Sequence, residues 1–196
     1  MILGIDFDNV IADYTGVIKD LVEKDRNLTS GSLPEPEDWN FESWGLTLDQ
    51  FKTYHTKFIN EDLTSQMKPF ASALNQLDHL AKEGHIIKII TQRVSSDWFS
   101  TEMREQIKAV TIKWLSDRNV HYDEIHFVKN KEEITADLYI DDSPEVLSSL
   151  EKAGKNYIIF NYLYNKENKG SRAYTWIQLK QMIQILHRNQ QLSQQK

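Results

Sequence analysis

The chain of 196 residues is 40% hydrophobic and 27% charged, a composition that suits one domain with a sizeable core and room for a small insertion. Its formal net charge of -6 excludes a general attraction to nucleic acid or anionic lipid, although a local pocket can oppose that sign and take a small phosphorylated ligand. The absence of cysteine excludes disulfides, thiolate catalysis and Cys-based zinc sites.

The first apolar run, Ile2 to Asp6, predicts a strand that ends in Gly4-Ile5-Asp6-Phe7-Asp8-Asn9-Val10. Broken by two acids and lacking a basic stretch, it does not read as a signal peptide, and no later run approaches the roughly 20 residues of a membrane span. The expected compartment is therefore the cytoplasm. A long interval follows, with helix-like stretches on either side of a turn-rich aromatic segment, Ser30 to Gly45. Such an interval exceeds a simple strand-to-helix connection and is expected to form a small helical cap.

Leu74, Leu77, Leu80 and Ala81 then form an apolar helical stripe that Gly84 ends. Strands are predicted at Ile86 to Thr91, Glu124 to Val128, Leu138 to Asp142 and Asn156 to Phe160, several as continuous β-branched runs suited to burial on both faces. Between them, Ile107, Val110, Trp114 and Leu115 mark a second helix. Ser143-Pro144 reads as the cap and first position of a third. Trp176, Leu179, Ile183 and Leu186 mark a helix docked on the body, and the polar stretch from Asn189 is expected to fray. The alternation predicts an α/β fold with a doubly wound, mainly parallel, five-stranded sheet. Residues 1–13 and 69–190 would form the core, 14–68 the cap and 191–196 a disordered tail.

Ligands of open α/β sheets bind beyond the carboxyl ends of the strands, where Asp6 and Asp8 follow the first strand and Asp141 and Asp142 end the fourth. Each pair alone could be ordinary turn and cap residues. Together they make a hard oxygen-ligand set suited to Mg²⁺, because clustered carboxylates repel unless a cation or a proton is shared among them. At the end of the second strand, the Thr91 hydroxyl and the backbone beyond it, with Gln92 and Arg93, offer hydrogen bonds and charge to a phosphoryl oxygen. Lys129 and Lys131 are either a solvated pair or a source of positive charge for the acids.

In this order the pieces resemble the four motifs of the haloacid dehalogenase superfamily: Asp-x-Asp, a Ser or Thr, a Lys, and paired acids. The resemblance implies that Asp6 is a nucleophile, Asp8 a general acid and base, and Thr91 a phosphoryl ligand. Lys131 is the first choice for the motif lysine, followed by Lys129 and then Lys108. Asp142 would be the direct metal ligand with Asp6 and the Asp8 carbonyl, and Asp141 would act in or just behind that shell. Dehalogenases lack an acid at the position of Asp8, which points to phosphatase chemistry. Within the superfamily, Ile140-Asp141-Asp142-Ser143-Pro144 and the placement of Lys131 are similar to the 5′(3′)-deoxyribonucleotidases and their bacterial relatives. Asn9 stands where the motif often has Gly, and the segment around Arg93 differs from the Thr-Ser-Pro type of the animal enzymes.

The activity this implies is Mg²⁺-dependent hydrolysis of a small phosphomonoester, a nucleoside monophosphate first and a sugar phosphate or other metabolite second. A non-catalytic binding protein on this fold is a third reading, opposed by the full acid set. Neither a membrane nor extended nucleic acid is an expected partner. Trp39, Phe41 and Trp44 would stack on a nucleobase or build the cap's own core, whereas helical spacing assigns Phe51 and Tyr54 to the core. The six histidines lack metal-ligand spacing.

Overall fold

The computed structural model describes residues 1–193, in which six parallel strands form one sheet. The strands are β1 (Ile2–Ile5), β2 (Ile86–Thr91), β3 (Glu124–Phe127), β4 (Leu138–Asp141), β5 (Tyr157–Phe160) and β6 (Ser171–Ala173), ordered β3-β2-β1-β4-β5-β6. The winding reverses between β1 and β4, the switch point where such sheets open a crevice. Both strands are buried on both faces, as their unbroken apolar runs require. At Gly4 a side chain would have no room: an added Cβ would stand 2.7 Å from Ile90 Cδ1 of β2.

The sheet has six strands rather than the five expected. The sixth, Ser-Arg-Ala at the edge beside β5, is too short and polar to register as an apolar run. Its chain is fixed instead by Arg172, whose guanidinium binds Asn161 Oδ1 at 3.1 Å and Asn165 Oδ1 at 2.9 Å.

Between β1 and β2 the chain forms α1 (Tyr14–Asp25), α2 (Leu48–Asn60) and α3 (Ala73–Lys82), with short 3₁₀ turns at Glu42–Trp44 and Leu63–Gln66. Asp13 caps α1 by accepting from Gly16 N at 2.8 Å, and Thr47 with Gln50 closes a capping box on α2. Beyond β2 lie α4 (Thr101–Asp117), α5 (Pro144–Lys152) and α6 (Trp176–Ser193). No described helix is long and apolar enough to cross a membrane. The stretch expected to fray from Asn189 is helical as far as Ser193, while 194–196 lie outside the described residues.

The C-terminal helix supports the loop that follows β1. Trp176 is 1% exposed, and its indole Nε1 donates to the Val10 carbonyl at 2.7 Å. Trp176→Phe keeps most of the packing but strands that buried carbonyl, an omission that costs about 1–3 kcal/mol. Urea unfolding should show a loss of that size; an unchanged midpoint would mean that the loop stands without α6.

Candidate active site

The site stands beyond the carboxyl ends of β1, β2 and β4. Asp6 follows β1 directly and is tied to β4 by its N–H, which donates to the Ile140 carbonyl at 3.0 Å. That bond sets Asp6 beside Asp141 and Asp142, and oxygens of these three buried acids lie within 4.8 Å of one another. Lys131, in a short turn ahead of β4, is 2% exposed. Its Nζ lies 2.6 Å from both Asp6 Oδ1 and Asp141 Oδ2. Lys129 lies outside the acid cluster, its ammonium exposed and 3.7 Å from Asp97, and Lys108 is paired on the surface with Glu105.

Four carboxylates here face two cations, Lys131 on Asp6 and Asp141, and Arg93 on Asp8 at 3.1 Å. If all are ionised, an excess of two negative charges sits largely out of water. The titration shifts follow from this. Burial lifts Asp6 above its ordinary range, only partly opposed by Lys131. Burial also raises Asp141, to about 6, against the pull of Lys131. Asp142 rises well above the usual range through burial and the charges of Asp6 and Asp141. For Lys131, burial disfavours the ammonium, but Asp141 and Asp6 outweigh it and keep it charged.

The adjacent acids of β4 are not equivalent. Asp141 spends Oδ2 on Lys131 and Oδ1 on the Ser143 N–H at 3.0 Å. Asp142 accepts the Tyr164 hydroxyl on Oδ2, while its Oδ1 is buried without a hydrogen-bond partner. Asp8 likewise has a buried, unpartnered Oδ1. Unsatisfied buried carboxylate oxygens are costly, and these two next to an excess of negative charge fit a divalent cation and a proton-accepting group.

Thr91 is 1% exposed at the end of β2, and its Oγ1 accepts from the Arg93 N–H at 3.2 Å. Gln92 also lines the cavity, with Nε2 held by the Lys129 carbonyl at 2.5 Å. Arg93 does not reach toward a phosphate as expected. Its guanidinium is turned into the protein against Asp8, Thr111 and Thr64.

An aromatic cavity continues outward from the acids, walled by Tyr14, Trp39, Phe51, His55 and Trp98. Of the three aromatics expected to face a ligand, Trp39 does. Phe41 and Trp44 do not: their rings stack at 4.6 Å, and the Trp44 indole donates to the Pro34 carbonyl at 3.0 Å. Left-handed backbone at Phe41 (φ 61°) and Gly45 (φ 70°) turns both rings inward. Conversely Phe51, assigned to the core by spacing, reaches the cavity together with His55 one helical turn later. Tyr54 is internal, donating to Asp25 at 2.7 Å. Tyr14 and His55 share a 2.6 Å hydrogen bond, and burial pushes the His55 imidazole down to about 4, so it is neutral. Neither stood out in the sequence, where they are 41 positions apart.

Solved structures with this fold include a haloacid dehalogenase-like family hydrolase from Streptococcus pneumoniae, with 12% identity, 93% of this chain and 97% of the other covered, and a TM-score of 0.60. Another is D,D-heptose 1.7-bisphosphate phosphatase from B. bronchiseptica, complexed with magnesium and phosphate, with 12% identity, coverage of 93% and 98%, and a TM-score of 0.50. The fold is thus haloacid dehalogenase-like. Sequence similarity narrows the class. A protein of Chlorobaculum tepidum described as "Putative 5'(3')-deoxyribonucleotidase" is 31% identical over 185 residues, covering 93% of this chain and 90% of its own. The chain belongs to the family described as "5' nucleotidase, deoxy (Pyrimidine), cytosolic type C protein", whose model matches residues 1–191. It is a phosphoric monoester hydrolase of the nucleotidase type.

The raised Asp141 carboxyl has a measurable consequence. Without divalent cations, this group binds its proton more tightly folded, at about 6, than unfolded, near 3.8. Its stabilising contribution is therefore full below the unfolded value and is lost as pH rises through the folded one. Asp141→Asn lacks that loss. In chelator, its stability relative to the parent should improve as pH climbs from about 4 to about 6. A difference that stays flat across this window in urea titrations would contradict the shift.

Proposed function

We propose that the chain is a Mg²⁺-dependent 5′-nucleotidase that works through an aspartyl-phosphate on Asp6 and acts on (deoxy)nucleoside monophosphates in the cytoplasm. The observation that carries this reading is the pair of buried, unpartnered oxygens, Asp8 Oδ1 and Asp142 Oδ1, beside Asp6 and Lys131. Asp6 attacks phosphorus, forming an acyl phosphate as the ester P–O bond breaks, so that one hard displacement becomes two easier ones. Lys131 holds Asp6 Oδ1, which orients the carboxylate and leaves its other oxygen for the attack. Asp8 gives a proton to the departing alcohol and later takes one from the water that cleaves the acyl phosphate, a role typically worth about 10²–10⁴ in rate. Burial raises Asp8 despite Arg93 and Lys131, which helps it carry that proton. Thr91 and the backbone after it hold phosphoryl oxygens.

Asp6, Asp142 and the carbonyl of Asp8 would hold the metal, with Asp141 behind them bound to Lys131 and the Ser143 N–H. Bound there, Mg²⁺ would neutralise the carboxylates and polarise the phosphoryl group. Residues 14–68 act as the cap over a core of 1–13 and 69–190. Tyr14, Trp39, Phe51 and His55 from the cap, with Trp98, wall a pocket suited to a nucleobase rather than a sugar alone.

Phosphate release from a panel of nucleotides and sugar phosphates, with Mg²⁺ and with chelator, tests the reading. Nucleoside monophosphates should lead the panel, chelation should remove the activity, and Asp6→Asn should abolish it with the fold retained. Preference for sugar phosphates would move the substrate class, and near-normal turnover by Asp6→Asn would remove the nucleophile.

The aromatic wall makes its own forecast. Trp39→Ala should raise KM for a nucleotide more than for p-nitrophenyl phosphate. Trp44→Ala, by opening a cavity in the cap core, should instead lower stability by about 3–5 kcal/mol. Equal KM effects of Trp39→Ala on both substrates would place the base elsewhere.

A further inference from the structure

Resting on the reading of Asp8 as the proton donor, we propose that Arg93 is a positioning residue: it clamps Asp8 in one orientation and ties that orientation to the packing of the cap. The Arg93 side chain is only 6% exposed, and its Nε lies 3.1 Å from Asp8 Oδ2 in an ion pair. Nη1 donates to Thr111 Oγ1 at 2.6 Å, and Nη2 donates to Thr64 Oγ1 at 3.1 Å and to Met67 Sδ at 3.8 Å. Both terminal nitrogens of the guanidinium thus donate within the protein, and Nε faces Asp8 as an ion pair. Its faces are also taken, by the rings of Phe7 at 5.1 Å and Phe58 at 5.6 Å. A phosphate-binding arginine needs its fork free. The fork of Arg93 is instead taken up by Thr111, Thr64 and Met67.

The anchors come from different parts of the chain. Thr111 is on α4 and Phe7 lies just after β1, whereas Phe58 is on α2 and Thr64 is in the turn that follows it. Arg93 therefore fixes Asp8 relative to both the sheet and the inserted segment. Thr111 is itself fixed, since its hydroxyl donates to the Ile107 carbonyl at 2.6 Å. Asp8 Oδ1 has no hydrogen-bond partner, so the ion pair with Arg93 is the side-chain contact that holds the Asp8 carboxyl. In the step concerned, the Asp6–phosphorus bond forms, the P–O ester bond breaks, and the departing oxygen takes the proton from the Asp8 carboxyl. A displacement of about 1 Å in such a group can cost about 10²-fold in rate.

The test uses leaving groups that differ in their need for that proton. A nucleoside monophosphate expels an alkoxide and depends on it, whereas p-nitrophenyl phosphate expels a stable phenolate and does not. With the intact chain and Mg²⁺, kcat/KM is measured for both substrates in the parent, Arg93→Lys and Arg93→Ala. This parameter covers the steps through leaving-group departure, and the ratio of the two values is independent of the folded fraction. Arg93→Lys keeps a charge and a stem at the site if the alanine variant folds poorly.

The expected result is a fall of about 10²-fold for the nucleotide in Arg93→Ala, a smaller fall in Arg93→Lys, and little change for the aryl ester. Inhibition by inorganic phosphate should be unchanged, and added guanidinium should restore part of the nucleotide rate in Arg93→Ala. Equal losses on both substrates, or weakened phosphate inhibition, would overturn the positioning role and make Arg93 a phosphate ligand or a packing residue. If the parent itself turns over neither substrate, the proposed function fails; if the parent is active and the ratio does not move, only this inference fails.

Discussion

Too many carboxylates are placed on too little water beyond β1 and β4, and much of the surrounding structure follows from that constraint. Asp6, Asp141 and Asp142 converge within 4.8 Å because strand pairing leaves them no alternative. An ion pair in a protein interior seldom adds net stability, since desolvation consumes most of the Coulomb gain. Lys131 and Arg93 are therefore better understood as what makes the cluster tolerable. Each sits on carboxylates that burial has already pushed toward the neutral state. The remaining charge is oriented rather than cancelled, with particular oxygens engaged and others left open.

The same constraint accounts for how the inserted segment is attached. An acid cluster open to bulk water would be screened, and a rigid lid would exclude substrate. Here the segment between β1 and β2 approaches through aromatic rings and neutral polar groups: Tyr14 with His55, Trp39 against Tyr164 at 5.5 Å, and Phe58 over Arg93. A neutral His55 adds no charge to a region already unbalanced, and burial is what keeps it neutral. The wall nearest the acids is thus apolar and hydrogen-bonding at once.

Much of this was legible in the sequence because its signals are local. Strands buried on both faces announce themselves as unbroken β-branched runs, and an acid ending such a run has its position fixed by the strand. The core of the sheet and the placing of Asp6, Asp8, Thr91, Asp141 and Asp142 at or just beyond its strand ends could therefore be read from the chain alone. What could not be read depends on long-range or conformational facts. β6 exists because β5 offers an edge and Arg172 fastens the return, neither of which its three residues reveal. The facing of Phe41 and Trp44 is decided by two left-handed residues, an uncommon conformation for a phenylalanine. Arg93, two residues beyond Thr91 in sequence, is drawn into the protein by Thr64 and Thr111, which approach from the insertion and from α4.

Asn9 shows how a departure from the common motif can be put to use. The turn after Asp8 requires φ near +57°, where glycine costs least and asparagine is the next most tolerant residue. Asparagine brings a side chain that glycine lacks. Its Oδ1 accepts from the Thr15 N–H at 3.0 Å, which fixes the start of α1. Its Nδ2 donates to the Tyr164 hydroxyl at 3.1 Å, and that hydroxyl in turn donates to Asp142 Oδ2. The loop carrying Asp6 and Asp8 is thereby connected to the acid on the neighbouring strand through a path of three side chains, all buried. Because Tyr164 has one proton and gives it to Asp142, it can serve Asn9 only as acceptor, so the direction of each bond is determined. With Tyr164 on Oδ2, Asp142 Oδ1 is the oxygen without a hydrogen-bond partner. The residue that tolerates the left-handed turn thus also links the Asp6–Asp8 loop, through Tyr164, to the Asp142 carboxylate.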